Sequence, residues 1–334
     1  MKRKIVIAAA ILALLPIVGC QRIARLPEVF GKRVGMTAPT SPPASTQAFS
    51  RSVNTGALQQ QTLSVGGLER SYYIYVPASA AGKPAPMVMA FHGGGGNAQK
   101  FGENMNLVGM AERRGMILVL PQGVGRGAKK GGSWNADSMA PQGYAELSGV
   151  DDLGFVKTLL STISANYSVD RSRIYAVGFS KGGMIAYRAA CVLNGQFSAV
   201  VAVGSTLSAA DCPNPKGVSV LHIHGTNDQN VPLNGGTGQF TGKRANYPSV
   251  RRGLDFFTAG NQCATQKTTT RPASDTTCTI QSCDGSEQVQ LCLVEGGGHA
   301  WPGSPPANWQ IKNNIYVSKN FDATDYIGNF LLSQ

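Results

Sequence analysis

Arg173-Ile174-Tyr175-Ala176-Val177-Gly178-Phe179-Ser180-Lys181-Gly182-Gly183-Met184-Ile185-Ala186-Tyr187-Arg188-Ala189-Ala190 reads as a strand, a sharp turn and a helix. Arg173–Val177 is short, apolar and rich in β-formers, as a buried strand is. Met184–Ala190 holds good helix formers and no breaker. Between them, glycines flank a lone serine. Glycine lets the backbone turn tightly and lets a helix press closely on a sheet. Such a turn pushes the Ser180 hydroxyl to its tip, where another molecule can reach it.

The same alternation recurs along the chain. Thr62–Val65 and Arg70–Val76 surround Gly66-Gly67 as an antiparallel hairpin. Met87–Phe91, Met116–Leu120, Ala199–Val203 and Val218–His224 are apolar runs of strand length. Gly102–Arg114, Asp151–Ala165, Arg251–Ala259 and Phe321–Leu332 read as helices. Asp151-Asp152 puts negative charge where a helix N-terminus favours it. Strands alternating with helices predict an α/β protein, with a mostly parallel central sheet covered on both faces. Residues 59–334 suit one large domain better than two small ones. Gln122–Gly149 is a long glycine-rich loop carrying Trp134 and Tyr144, either a wall of a site or a surface insertion.

The N-terminal residues read differently. Lys2-Arg3-Lys4 precedes the apolar stretch Ile5–Val18, which is too short to span a membrane and fits a signal peptide over residues 1–20. Ile17-Val18-Gly19-Cys20 resembles a bacterial lipobox and makes Cys20 the expected lipidation site. Residues 21–58, with Pro39-Thr40-Ser41-Pro42-Pro43, read as a flexible basic spacer. Of the net charge of +12, three charges sit in residues 2–4 and a net four in residues 21–55, which leaves five for the rest. A basic segment beside a lipid anchor is suited to anionic headgroups, so the expected partner is a membrane. No motif supports nucleic-acid binding. The expected location is exported: a lipoprotein of the outer membrane or periplasm, or an extracellular protein.

Six cysteines follow Cys20, an even number that implies disulfides in an exported chain. Cys278 and Cys292 are equidistant from Gly285 in a hairpin that turns at Asp284-Gly285-Ser286, so they should face each other. Cys191 and Cys212 are the expected upstream pair, which leaves Cys263 with Cys283. No Cys-x-x-Cys spacing supports zinc, and no metal or cofactor is expected.

A serine hydroxyl is a poor nucleophile unless a base takes its proton. The chain has four histidines: His92, His222, His224 and His299. His299 closes the loop Glu295-Gly296-Gly297-Gly298-His299 after the last strand and is the expected base. His222 and His224 alternate onto one face of a strand, as packing or near-site residues. Asp228 follows a buried strand and is the expected orienting carboxylate, with Glu295 and Asp275 as less well-placed acids. The order Ser180, Asp228, His299 is that of an α/β-hydrolase, and Gly178–Gly182 matches its nucleophile elbow. Oxyanion donors are expected from the backbone of Lys181 and of the His92-Gly93-Gly94-Gly95-Gly96 loop, at Gly94 or else Gly95.

Five stretches together resemble the polyhydroxybutyrate depolymerase-type esterases, which overlap with feruloyl and acetylxylan esterases. They are His92-Gly93-Gly94-Gly95; Trp134-Asn135-Ala136; Asp151-Asp152-Leu153-Gly154-Phe155; the Ser180 elbow; and His224-Gly225, Asp228 and Val231-Pro232 with Gly296-Gly297-Gly298-His299-Ala300-Trp301-Pro302-Gly303. The resemblance spans residues 60–333. It implies an α/β-hydrolase fold, no metal, and ester cleavage through an acyl-enzyme. The implied substrate is a polyester oligomer or a hydroxycinnamoyl or acetyl ester of a polysaccharide, contacted by His92, Trp134 and Trp301. Trp301 is either a pocket wall or core. Lys181 stands where the family often has a neutral residue and would favour anionic substrates. Transfer of the acyl group to a sugar or lipid by the same triad is the alternative, and a non-catalytic binding lipoprotein is a third reading.

Overall fold

Exposed and half-buried residues alternate along β1 (Gln59–Val65), as on an edge strand with one face to solvent. Gly66-Gly67 turns it into β2 (Leu68–Tyr75), and the two pair antiparallel. β3 (Ala85–Phe91) is buried at every position, so it lies inside a sheet covered on both faces. The computed structural model describes residues 55–334, apart from 128–130, 137–142, 208 and 242–244. The expected leader at 1–20, Cys20 and the spacer up to residue 54 lie outside the described residues.

Next come α1 (Ala98–Asn104), α2 (Leu107–Arg114) and β4 (Ile117–Pro121). The single helix expected over Gly102–Arg114 is in fact two, because Asn106 adopts left-handed backbone with φ 51°. Asparagine tolerates that region better than most residues. The Met105 carbonyl at the break accepts the Thr324 hydroxyl at 2.7 Å. α3 (Tyr144–Leu147), α4 (Asp152–Asn166), β5 (Val169–Phe179) and α5 (Lys181–Val192) follow. The chain continues through β6 (Ala199–Val203), β7 (Ser219–Gly225) and α6 (Val250–Gly260). β8 (Thr268–Ala273), β9 (Thr276–Ser282) and β10 (Gln288–Val294) complete the strands. The last helices are α7 (Asn308–Lys312) and α8 (Ala323–Leu332). β8 escapes a reading of the sequence because Pro272 argues against a strand; it survives as an edge strand with a shifted register.

Among the described residues the strands form one sheet in the order β1-β2-β4-β3-β5-β6-β7-β10-β9-β8. The run from β4 to β10 is parallel, and antiparallel strands extend both edges. β4 and β5 lie on opposite sides of β3, so the strand order reverses there. A reversal of that kind opens a crevice at the carboxyl ends of the strands. Alternation along β3 feeds two cores. Met87, Met89 and Phe91 pack with α4, α5 and α6, while Val88 and Ala90 pack with α1, α2 and α8.

Disulfides join Cys191 to Cys212, Cys263 to Cys283 and Cys278 to Cys292. The last two residues are directly opposed in the β9–β10 ladder. Disulfides persist in oxidising compartments, so the chain is an exported protein.

One buried ion pair fixes the approach to the crevice. Arg70 on β2 donates to Asp152 at 2.6 Å, with the two side chains 2% and 0% exposed. The same guanidinium lies 4.0 Å over the Phe155 ring. The other Asp152 oxygen accepts the Asn135 amide at 2.7 Å, and the Asn135 carbonyl accepts Arg188 at 2.8 Å. The Trp134-Asn135-Ala136 and Asp151–Phe155 motifs are therefore one brace tying the long loop to the sheet. Asp152→Ala leaves Arg70 buried without a counter-charge. The expected loss of unfolding free energy is about 3–5 kcal/mol, read from the urea midpoint.

Candidate active site

The turn after β5 is tight at its glycines. A Cβ on Gly178 would lie 2.1 Å from the Gly182 carbonyl oxygen, and one on Gly182 would lie 2.0 Å from that of Phe91. Only glycine fits at either position. Ser180 between them takes φ 55° and ψ −122°, a conformation a non-glycine residue rarely holds. It is held by its amide, which donates to Val203 O at 2.9 Å, and by its carbonyl, which accepts Ser205 Oγ at 2.9 Å.

Side chains 180, 228 and 299 meet at the crevice. The Ser180 hydroxyl lies 2.9 Å from His299 Nε2, and His299 Nδ1 lies 2.8 Å from Asp228 Oδ2. The other carboxylate oxygen of Asp228 accepts the amides of Asn230 and Val231, both at 2.8 Å. Burial pushes the Asp228 carboxyl up, but His299, His224 and the Val231 amide together outweigh it and hold it below the ordinary carboxylate value. The anion is thus kept, and His299 Nδ1 must carry the proton that faces it. His299 Nε2 is then a bare acceptor aimed at the serine proton. Gln310, buried on α7, donates to the His299 carbonyl at 2.8 Å, and the Phe179 ring lies 4.9 Å from the imidazole. Glu295 and Asp275 lie elsewhere: the Glu295 amide bonds Asp275 O, and the Asp275 carboxylate holds Tyr316 at 2.7 Å.

Gly94 stands across the crevice from the elbow. A Cβ there would be 3.7 Å from Lys181 Cβ and 3.7 Å from Ser133 Oγ. The Gly94 and Lys181 amides bond to no other described residue, so both remain available as donors beside Ser180. The sequence does not single out Ser133. Its pairing with Val124 across the loop brings it here, and no local signal announces that.

Several expected contacts fall elsewhere. The Lys181 ammonium does not face the crevice; it folds back to Glu146 Oε1 at 2.5 Å, under the long loop. The Lys181 charge is therefore neutralised inside the protein and gives no basis for an anionic preference. Sequence locates the Lys181 amide but not the path of its four-carbon stem. Trp134 and Trp301 are buried, at 0% and 1% exposure, and touch structure instead of an open surface, while His92, 1% exposed, edges a cleft of about 910 Å³ beside the glycine loop. The Trp134 indole donates to His92 O at 2.7 Å, and Trp301 donates to Thr324 at 2.9 Å behind Phe179. His92 Nδ1 donates to Gly93 O at 2.7 Å, and Nε2 accepts the Gly123 amide at 3.0 Å. Burial lowers the His92 pKa to about 4, so this ring is a neutral brace for the glycine loop.

The phospholipase/carboxylesterase family matches residues 76–240, which include Ser180 and Asp228 and stop before His299. Over 293 residues the chain is 27% identical to the provisionally named esterase NocK of Nocardia uniformis subsp. tsuyamanensis, covering 80% of this chain and 82% of that protein. It is 26% identical over 239 residues to feruloyl esterase B of Piromyces equi, covering 69% of this chain and 42% of that protein. Its fold superposes on acetyl xylan esterase from Aspergillus awamori with a TM-score of 0.54 at 18% identity, covering 78% of this chain and 98% of the other. The chain has the α/β-hydrolase fold. It spans most of one curated relative and less than half of the next.

In this fold a cleft of about 600 Å³ opens over Ser180 and His299. Phe179, Tyr144, Tyr247 and Trp309 give it aromatic walls, and Leu147 adds apolar surface. Trp309 sits 6.4 Å from the His299 ring and is partly open to solvent. Asn230 also lines the cleft, and its Oδ1 is buried with no partner among the described residues.

Proposed function

We propose that this chain is a serine carboxylester hydrolase that cleaves acyl esters of polysaccharides through an acyl-enzyme on Ser180. The observation that carries the reading is the unbroken hydrogen-bond line from Ser180 through His299 to Asp228. His299 Nε2 takes the serine proton as Oγ attacks the ester carbonyl carbon. The Gly94 and Lys181 amides receive the oxyanion. Collapse of the tetrahedral intermediate expels the alcohol, which leaves with the proton held by His299. Water then attacks the acyl-enzyme by the same route, releases the acid and restores Ser180.

The aromatic walls favour a flat acyl group over acetyl, since aromatic rings stack on one another at offset or edge-on geometry. The partnerless Asn230 Oδ1 offers an acceptor for an acyl hydroxyl. A hydroxycinnamoyl ester fits both features, and the feruloyl esterase relative supports it. Residues 1–20 are proposed as an export signal and Cys20 as the lipid attachment point, with the basic spacer to residue 58 linking the membrane to the enzyme. The deciding experiment is a hydrolysis panel of methyl ferulate, acetylated xylan, hydroxybutyrate oligomers and p-nitrophenyl esters from acetate to octanoate. Methyl ferulate should be turned over, and Trp309→Ala should raise its KM about tenfold while leaving p-nitrophenyl acetate within about twofold. Turnover confined to hydroxybutyrate oligomers or acetylated xylan would remove the aromatic acyl assignment.

A further inference from the structure

Three polar side chains lie fully buried behind Asp228, and ester cleavage as described above does not use them. Tyr187 Oη lies 2.7 Å from His222 Nδ1, His222 Nε2 lies 3.0 Å from His224 Nδ1, and His224 Nε2 lies 2.9 Å from the Val231 carbonyl. The successive ring planes are nearly parallel, 7° between Tyr187 and His222 and 17° between His222 and His224.

One carbonyl sets every proton in this chain of bonds. Val231 O can only accept, so His224 Nε2 carries hydrogen. In a neutral ring His224 Nδ1 is then bare and must accept, so His222 Nε2 donates to it. His222 Nδ1 is bare in turn and accepts the Tyr187 hydroxyl. No donor faces a donor, and no polar atom in the line is left over. Burial holds both rings below the ordinary histidine value, although Asp228 pulls His224 the other way.

The line also closes on the nucleophile's own helix. Tyr187 stands on α5, whose N-cap is Ser180. From it the bonds run across β7 to Val231, whose amide donates to Asp228 Oδ1 at 2.8 Å. Asp228 Oδ2 then meets His299, and His299 meets Ser180. His224 Nε2 is also 3.6 Å from Asp228 Oδ2, too far to compete with His299 for that oxygen but near enough to orient its field. Apolar residues could fill the same space without needing partners, and buried polar groups are tolerated only when each is satisfied.

We propose that Tyr187, His222 and His224 form an uncharged buried relay that fixes the Asp228 carboxylate relative to the Ser180 helix, with His224 as a positioning residue. This rests on the triad assignment above. Selective 15N-histidine labelling of the full chain tests it first, because the four ring signals can be assigned by single substitution. His222 and His224 should both read as neutral Nε2–H tautomers from pH 5 to 8. A protonated ring or an Nδ1–H tautomer at either position would overturn the relay. Kinetics test it second: His224→Leu should lower kcat about 10- to 100-fold with KM within about twofold, because a small misplacement of the acid weakens the transition state more than substrate binding. His224→Gln, which can still donate to Val231 O, should recover most of the loss; if both variants keep the wild-type kcat, the positioning role is refuted. If His224→Leu does not fold, the Gln variant with Tyr187→Phe, expected to lose kcat by less, and the tautomers decide. A fluorophosphonate that fails to label Ser180 in the wild type would strike the triad assignment; labelling with an unchanged kcat in His224→Leu would strike the relay alone.

Discussion

Ser180→Ala is expected to lower kcat on p-nitrophenyl acetate by about a million-fold, with little change in thermal midpoint. The side chain it removes makes one hydrogen bond, to His299, so packing is untouched. The left-handed backbone at residue 180 is already held by Val203 and Ser205, and alanine inherits that strain without adding to it. His299→Ala should fall nearly as far, and the double variant no further, because base and nucleophile act on one proton. Asp228→Asn should lose about ten-thousand-fold, since the amide no longer dictates which nitrogen of His299 holds hydrogen. The measurement is steady-state turnover, with a fluorophosphonate burst counting competent sites. A Ser180→Ala enzyme retaining even a hundredth of the wild-type rate would end the nucleophile assignment.

Acid should unfold this protein through its histidines before its carboxylates are protonated. His92, His222 and His224 are buried and held below the ordinary value of 6.5, in each case first by burial. The unfolded rings take protons below pH 6.5 while the folded rings do not. Each such ring removes about 1.4 kcal/mol of stability per pH unit below that point. Stability is therefore retained above about pH 6.5 and lost as pH falls, until the folded ring also titrates, which for His92 is about 4. From pH 6.5 to 5 His92 alone should remove about 1.6 kcal/mol, and His222 and His224 act in the same direction, against the roughly 5–15 kcal/mol a domain possesses. Urea midpoints at pH 7 and pH 5 measure this, and His92→Gln should shrink the difference in unfolding free energy by about 1.6 kcal/mol. Equal midpoints at the two pH values would show that these rings do not stay neutral in the fold.

The layered plan and the parts of the site were readable from residue order because each has a short-range cause. Met87–Phe91 is a continuous apolar run of strand length, as strands buried on both faces are. Gly178 and Gly182 are required by contacts within a single turn, so the elbow shows itself locally. Cys278 and Cys292 are opposed because a hairpin counts residues equally on both arms. Asn106 broke the expected helix for a reason local sequence carries only weakly, since asparagine merely tolerates the left-handed region.

The direction a long side chain takes is set by neighbours distant in sequence. Lys181 turned inward because Glu146 waits under the loop, 35 residues away. Trp301, equally suited to pocket or core by its motif, went to the core because Thr324 and Phe101 close over it. His222 and His224 were legible only as alternating residues on one strand face. Their protons were assigned by the Val231 carbonyl and the Tyr187 hydroxyl. Residue order alone determined which elements form and which chemical groups are supplied, because those depend on periodicity and backbone sterics. Tertiary packing decided which groups face the crevice, which are neutralised and where each proton rests, because charge and hydrogen-bond direction are settled only when buried groups must find their partners.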